Sequence, residues 1–378
     1  MRTVIINGAN GYVASNFINN LLKQHYTVIA LVRANKQDPE ERMNEVLAHI
    51  NDGKEINTSN LEVYNYSLIG DNFSMNENVL KSIFTGNVHY FHFAASLKYD
   101  EKSVDEIFST NIEGVENSIK VFLKYAKSDS HFFYIGTAYS CGRFSGLFEE
   151  KFYENKDISA FRNYYEQSKR FAENIVRTNI GNNGLNGHII RLSQVVGNQK
   201  TGVTKTDYGI FDFSKRINSL ANRYPNEIVR VHVDPEATQN LIPIDTVTRQ
   251  LIKVVEENEI PEIMNFVSKN PVRNSFIIDT LNQLAPIQII PIKNLERNEM
   301  RPIERMISAG MSFTESYASI DVLFDTRQKD RFLKNTETGP DYKSIAKMME
   351  YFIETLSERK RNGNTKLPDN AGLRQHYK

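Results

Sequence analysis

Over the first half of the chain, short apolar β-rich runs alternate with longer amphipathic stretches. Val4–Asn7, Val28–Val32, Leu61–Tyr66, Val88–Phe93, Phe132–Ile135 and Gly187–Leu192 read as buried strands. Between them, Tyr12–Lys23, Glu40–Ile50, Asn78–Phe84, Val104–Tyr125 and Arg162–Ile180 read as helices. In the first helix, Val13, Phe17 and Leu21 recur at i,i+4, as do Ile18 and Leu22, which makes one apolar face. Strands that alternate with helices predict a parallel sheet covered on both faces. Right-handed crossovers then give a doubly wound sheet, with ligands at the carboxyl ends of its strands.

The pattern loosens after Gly197. Lys200–Tyr208 is polar, Phe211–Tyr224 is a basic helix, Asn240–Val255 returns to strand and helix, and Ile263–Val267 reads as one more strand. The expected class is therefore α/β, a Rossmann-type doubly wound parallel sheet with a smaller C-terminal substrate-binding subdomain. Residues 1–197 and 240–270 are expected to form the dinucleotide-binding domain, and 198–239 with 271–356 the substrate-binding subdomain. Residues 357–378 read as a polar, loosely ordered tail.

Composition narrows the function classes. Of 378 residues, 40% are hydrophobic and 24% charged, enough apolar surface to build a core and to exclude a mostly disordered chain. Lys+Arg and Asp+Glu stand at 46 each, so no global field calls for nucleic acid or an anionic membrane. One cysteine, Cys141, excludes a disulfide framework and a Cys-rich zinc site. No apolar run approaches the roughly 20 residues of a membrane-spanning helix. A strand and glycine loop begin almost at the first residue and leave no room for a secretory leader, so a cytoplasmic location is expected.

The loop Gly8-Ala9-Asn10-Gly11-Tyr12-Val13-Ala14 joins strand one to helix one with the spacing G-x-x-G-x-x-A. Its first glycine permits a tight turn, its second lets backbone approach a pyrophosphate, and the small third residue lets helix pack on strand. The helix N-terminus adds amide donors and a positive dipole for phosphates. At the end of strand two, where NAD enzymes carry an acid for the ribose hydroxyl, the chain has Leu31-Val32-Arg33-Ala34. Arg33 offers a guanidinium to a 2′-phosphate instead, with Arg42 as a second clamp. The expected cofactor is therefore NADPH (NADP), with Asp71 in Gly70-Asp71-Asn72 a candidate for the adenine edge.

In Tyr165-Glu166-Gln167-Ser168-Lys169 a phenol and an ammonium stand at i and i+4 and share one helix face. A free phenol has a pKa of about 10, and a nearby ammonium with an oxidised nicotinamide would lower it toward neutrality. Thr137, just after strand five, directs a hydroxyl across the carboxyl edge of the sheet. Asn111 lies on the helix that feeds strand five, placed to hold a water relay to Lys169. The eight histidines form no His-Glu-x-x-His or similar ligand pair, so no metal is expected. His92 reads as a packed strand residue.

With these residues in place, the chain resembles the extended short-chain dehydrogenase/reductase superfamily over residues 3 to about 270. Within it, the chain resembles the branch of thioester reductase domains, carboxylic acid reductase termini and fatty acyl reductases, the male-sterility-like group. The resemblance is carried by Gly8–Ala14, Leu31–Ala34, Phe91-His92-Phe93-Ala94-Ala95, Asn111–Gly114, Tyr134–Thr137, Asn163–Lys169, Ile190-Arg191 and Val196–Gly202. It implies that Gly8, Asn10, Gly11, Tyr12, Val13, Ala94, Ala95 and Lys169 bind the cofactor. It also implies Tyr165 as general acid, Lys169 as its tuner and ribose clamp, Thr137 as the group that orients the substrate carbonyl, and Asn111 as support for the relay. The chain departs from the family pattern at Ala14, at Gly136 and at Leu192, where a glycine, a serine and a proline are usual.

The reaction this implies is NADPH-dependent reduction of a carbonyl, foremost an acyl thioester, carrier- or CoA-bound, to the aldehyde or alcohol. A nucleotide-sugar epimerase or dehydratase and a hydroxysteroid or dihydroflavonol-type dehydrogenase share the catalytic set. A dehydratase needs an acid pair after the threonine, where this chain has Ala138-Tyr139. A cofactor sensor without chemistry is opposed by the intact Thr137, Tyr165 and Lys169. Lys200, Lys205, Lys215, Arg216 and Arg223 against Asp207 and Asp212 mark a basic segment, a candidate dock for an acidic carrier protein. A monomer or dimer is expected.

Overall fold

Seven parallel strands form the central sheet of the computed structural model, which describes residues 3–34, 37–310, 316–317, 322–334 and 339–361. They are β1 (Thr3–Asn7), β2 (Val28–Val32), β3 (Leu61–Asn65), β4 (Val88–His92), β5 (His131–Thr137), β6 (Gly187–Leu192) and β7 (Ile263–Phe266). Their order is β7-β6-β5-β4-β1-β2-β3, so the winding reverses between β4 and β1. A crevice opens at such a reversal, outside the carboxyl ends of the strands. The inner strands β2, β4, β5 and β6 are buried along their whole length, as expected where both faces carry helices, whereas every residue of edge strand β3 is at least partly exposed.

The helices follow the apolar spacing. α1 (Tyr12–Lys23), α2 (Pro39–Ile50), α3 (Glu77–Ile83) and α4 (Val104–Phe108 continuing to Tyr125) cover the sheet, as does α5 (Tyr164–Asn183). Asp38 caps α2 by accepting from Glu41 N at 2.9 Å, with Pro39 at the first helical position. Asn163 caps α5 by accepting from Glu166 N at 3.0 Å, so this helix starts two residues later than the sequence pattern indicates. In α4 the hydrogen-bond ladder widens to a π turn at Ser109–Glu113, which the spacing did not signal. Such turns are inserted where a side chain must be re-aimed, and here the re-aimed residue is Asn111.

A second apolar core lies beyond Val196. It gathers α6 (Ile210–Arg223), strands Ile228–His232 and Gln288–Ile292, α7's neighbour Leu241, α8 (Asn274–Leu284) and α9 (Tyr342–Arg361), where α7 is Ile244–Glu256. The expected division at 271–356 is not clean. Leu323–Phe324 pairs with Leu147–Phe148, and Phe332 and Leu333 pack on the core of the main sheet. The expected tail boundary also falls inside α9, which continues to Arg361, and the tail residues 362–378 lie outside those described.

Candidate active site

Asn7 closes β1 and organises the switch point. Its Oδ1 accepts from the amides of Phe93 and Ala94 at 2.8 and 3.0 Å, which fixes its Nδ2 as a donor to Tyr90 Oη at 3.0 Å and His92 Nδ1 at 2.9 Å. Next in the chain, Gly8 adopts φ +60, and a Cβ there would come within 2.8 Å of the Ala94 backbone. The glycine loop thus folds directly against the Ala94-Ala95 segment and sets the N-terminus of α1 beside it, a cradle that fits a pyrophosphate. Gly11 N closes the turn on Gly8 O at 2.9 Å, and Val13 packs on the main core. Tyr12 turns the other way. Its hydroxyl donates to Val196 O at 3.1 Å, and burial together with Asp245 pushes the phenol far up.

At the adenosine end, Arg33 is exposed just past β2. Arg42 on α2 meets the loop directly: in the orientation that satisfies the Asn10 amide, Asn10 Oδ1 accepts from Arg42 Nη2 and Nε at 3.2 and 3.3 Å. Tyr66 accepts from Gly8 N at 3.2 Å. Burial pushes its phenol up to about 12, while the Gly8 amide and Arg33 pull it down. Asp71 sits on an exposed 3-10 turn, Asp71–Ser74, with its carboxylate on Lys120 at 3.0 Å. That ion pair holds the carboxyl below its usual range.

On the opposite side, β5 and α5 carry Thr137, Tyr165 and Lys169, the candidate catalytic residues. Lys169 is buried and its Nζ donates to Ile135 O at 3.1 Å, two residues before Thr137. Burial pulls its ammonium down to about 8, against an upward pull from Glu173. The ammonium also lies 4.7 Å from the centre of the Tyr134 ring. Thr137 Oγ1 donates to Leu192 O at 3.3 Å and accepts from Tyr139 N at 3.2 Å, capping the turn Ala138–Cys141. Tyr165 is half-buried, and burial, then Glu166, then Tyr208 raise its phenol. Burial is the largest of these causes, and the lowering expected from Lys169 together with an oxidised nicotinamide would act against it. Asn111 Oδ1 accepts from Ser96 N at 2.7 Å and its Nδ2 donates to Ser96 O and to Ser168 Oγ at 3.1 and 2.9 Å. It therefore reaches the residue before Lys169 and ties α4, the β4 loop and α5 together.

Several residues of this site carried no readable signal in the sequence. Glu173, one turn beyond Lys169, takes Arg191 through Nε at 3.0 Å and Nη2 at 2.7 Å, and Ser140 Oγ at 2.8 Å, all fully buried. Glu166 takes Arg162 Nη1 at 3.0 Å and the Tyr317 hydroxyl. A charge inside a strand and a charge on α5 look like surface residues until the fold pairs them. The basic segment after β6 is largely self-neutralised: Lys205 pairs with Asp52, Lys215 with Asp207 and Arg216 with Asp212. Among the described residues no cluster of three or more potential metal ligands occurs, and no helix is long and apolar enough to cross a membrane.

The family described as male sterility protein matches residues 6–251. Among solved structures, the terminal R domain from the myxalamid PKS-NRPS biosynthetic pathway is similar, with 16% identity, a TM-score of 0.75 and coverage of 94% of this chain and 91% of that one. A thiolation-reductase di-domain from an archaeal non-ribosomal peptide synthetase is similar at 18% identity and TM-score 0.70, covering 95% of this chain and 76% of that one. UDP-glucuronic acid 4-epimerase from Bacillus cereus, in complex with NAD, follows at 17% identity and TM-score 0.63, covering 94% and 98%. At these identities the likeness is one of fold. No curated protein matches the sequence.

Proposed function

The chain belongs to the male sterility protein family and is a nicotinamide-dependent enzyme of the extended short-chain dehydrogenase/reductase type, and from that premise we propose that it is an NADPH-dependent reductase of acyl thioesters, carrier- or CoA-bound. When bound, the reduced nicotinamide would supply a hydride to the carbonyl carbon, and collapse of the resulting adduct would break the C–S bond, release the thiol and leave the aldehyde. What supports the reading is that Lys169 bonds the Ile135 carbonyl two residues before Thr137 and Asn111 bonds Ser168 on the helix that carries Tyr165, across the switch point from the glycine loop.

The chain's own residues divide the work. Gly8, Asn10 and Gly11 present backbone to the pyrophosphate, and Ala94 and Ala95 leave room beside it. Arg33 and Arg42 hold a 2′-phosphate, and no carboxylate stands at the end of β2 to repel it. Lys169 presents an ammonium to the cofactor ribose. Tyr165, its phenol raised and thus protonated at neutral pH, donates a proton to the oxygen that develops charge. Thr137 turns its hydroxyl from Leu192 O to that same oxygen, where a preorganised donor contributes most. Asn111 holds the α5 backbone through Ser168, so its support for Lys169 is one of position.

Oxidation of NADPH followed with acyl-CoA and carrier-loaded acyl substrates tests the reading. Turnover of thioesters is expected. Turnover of free ketones with none of any thioester would overturn it.

A further inference from the structure

The first turn of α5 carries Tyr165, and two side chains close it. Asn163 caps the turn by accepting from Glu166 N at 3.0 Å, and Glu166 Oε2 reaches back to accept from Arg162 N at 3.0 Å. Such a reciprocal cap satisfies amides that have no partner inside the helix.

Both members of this cap meet one side chain from far along the chain. The Tyr317 hydroxyl donates to Glu166 Oε1, 151 residues away in sequence, and accepts from Asn163 Nδ2 at 3.3 Å. Tyr317 is buried, and burial together with the Glu166 charge raises its phenol well above the usual tyrosine range. The proton it donates therefore stays in place at any working pH. The Arg162 guanidinium lies 5.2 Å from the centre of its ring.

The same ring meets the other half of the site. It stands edge-on to Tyr139, with ring centres 4.9 Å apart and planes at 78°, and Tyr139 N donates to Thr137 Oγ1 at 3.2 Å. One phenol thus packs between the turn that starts at Thr137 and the turn that holds Tyr165. Its backbone is tied in turn. Tyr317 O accepts from Gln239 Nε2 at 3.2 Å, and that amide also donates to Asn274 Oδ1 at 3.2 Å, at the start of α8. The apolar face of α8 belongs to the second core, so a chain of contacts runs from that core to the first turn of α5.

We propose that Tyr317 is a positioning residue of the active site, whose hydroxyl holds the first turn of α5 so that Tyr165 meets the substrate oxygen together with Thr137. This rests on the reading above, in which Tyr165 is the proton donor, and adds the residue that aims it.

The test is Tyr317→Phe, which keeps the ring against Tyr139 and Arg162 and removes only the hydroxyl. Asn163 keeps its bond to Glu166 N and Glu166 keeps Arg162, so α5 still forms. A misplacement of about 1 Å can cost roughly 10²-fold in rate, and the loss of one such contact is expected to lower kcat about tenfold. The dissociation constant of NADPH, read by fluorescence titration, should stay within about twofold of the parent value, because no contact of the glycine loop is lost. The deciding measurement repeats the substitution in Tyr165→Phe. A residue that acts by aiming the Tyr165 hydroxyl has nothing to aim there, so its effect is expected to vanish from the residual rate. A merely structural role lowers both backgrounds by the same factor. Should Tyr317→Phe fail to fold, Asn163→Ser keeps a capping oxygen, loses the amide that meets Tyr317, and serves in the same comparison. If no carbonyl compound is reduced, the reductase reading falls, and amide hydrogen exchange decides the contact by itself. Faster exchange over 163–169 in Tyr317→Phe, with 8–23 unchanged, then supports the proposal. A parent-like kcat, an equal loss in both backgrounds or, without turnover, exchange that stays unchanged or rises alike in both segments overturns it.

Discussion

Lys169 Nζ donates to the Ile135 carbonyl at 3.1 Å, so the ammonium is tied to the strand that carries Thr137 two residues on. The tie fixes the side chain, and the side chain is buried. Burial pulls the ammonium down to about 8. An enzyme that needs Lys169 protonated therefore loses kcat/KM as pH rises through about 8, since kcat/KM reports groups of the free enzyme. In Lys169→Arg, whose guanidinium stays charged, that alkaline limb should leave the accessible range even if the rate is lower. A pH profile of NADPH oxidation from 6 to 10 checks this. A limb that is the same in both proteins assigns it to another group.

Tyr165 touches the reacting oxygen in this scheme and nothing else depends on its hydroxyl, which makes no hydrogen bond to a structural partner among those described. Tyr165→Phe should leave thermal unfolding and NADPH binding nearly unchanged. The rate should fall by roughly 10²–10⁴, the usual contribution of a positioned general acid. More than a third of the parent rate would place the proton donor elsewhere.

Arg33 is exposed at the end of β2, and Arg42 leans on Asn10 of the loop. On the reading proposed above both hold a 2′-phosphate, and NADPH is expected to bind more tightly than NADH. Arg33→Asp should weaken NADPH by about 1.5–3 kcal/mol, the scale of hydrogen bonds to charged groups, and leave NADH far less affected. Fluorescence titration of both cofactors measures it, and equal affinities in the parent protein would count against the assignment.

The order of strands and helices was legible because the first half repeats one unit, an apolar run followed by an amphipathic helix. The glycine loop was legible because its spacing sits between the two, and the Tyr165–Lys169 face because i,i+4 needs no tertiary information. What escaped depends on contacts far apart in sequence. Asp71 stands in the loop after β3, and its ion pair with Lys120 on α4 joins residues far apart in sequence. The π turn at Asn111 is set by a bond to Ser96, and periodicity alone continues the helix through it. The basic stretch and its two acids were both legible, but that Lys215 pairs with Asp207 and Arg216 with Asp212 needs the fold of α6 and of the loop before it.

His131, His188 and His92 lie inside the sheet. His188 Nδ1 meets Pro261 O at 3.1 Å and its Nε2 meets His131 Nδ1 at 3.0 Å, and burial lowers it to about 4, while His92 falls to about 3. Between these values and the unfolded value near 6.5, the unfolded chain binds more protons than the folded one. The stability they contribute is present above pH about 6.5 and is lost as pH falls toward 4 and 3. Urea midpoints should drop across this window, and less steeply in His188→Gln. A parallel drop in both proteins would assign the acid sensitivity to carboxylates alone.

Glu173 connects the buried charges behind the site. It is held by both nitrogens of the Arg191 fork, it accepts from Ser140, and its field raises Lys169 against the effect of burial. Glu173→Gln should therefore act twice. Arg191 would be left without its counterion in the middle of β6, and losing one partner of a buried pair costs about 3–5 kcal/mol. Adding Arg191→Met removes the stray charge and should recover part of that loss. It cannot recover the second effect. Without Glu173, Lys169 is lowered by burial unopposed, so the alkaline limb of kcat/KM should move below its parent position in both the single and the double variant. Stability that returns while the limb stays displaced marks Glu173 as a residue that positions charge for Lys169. A limb that returns with stability would make its role structural only.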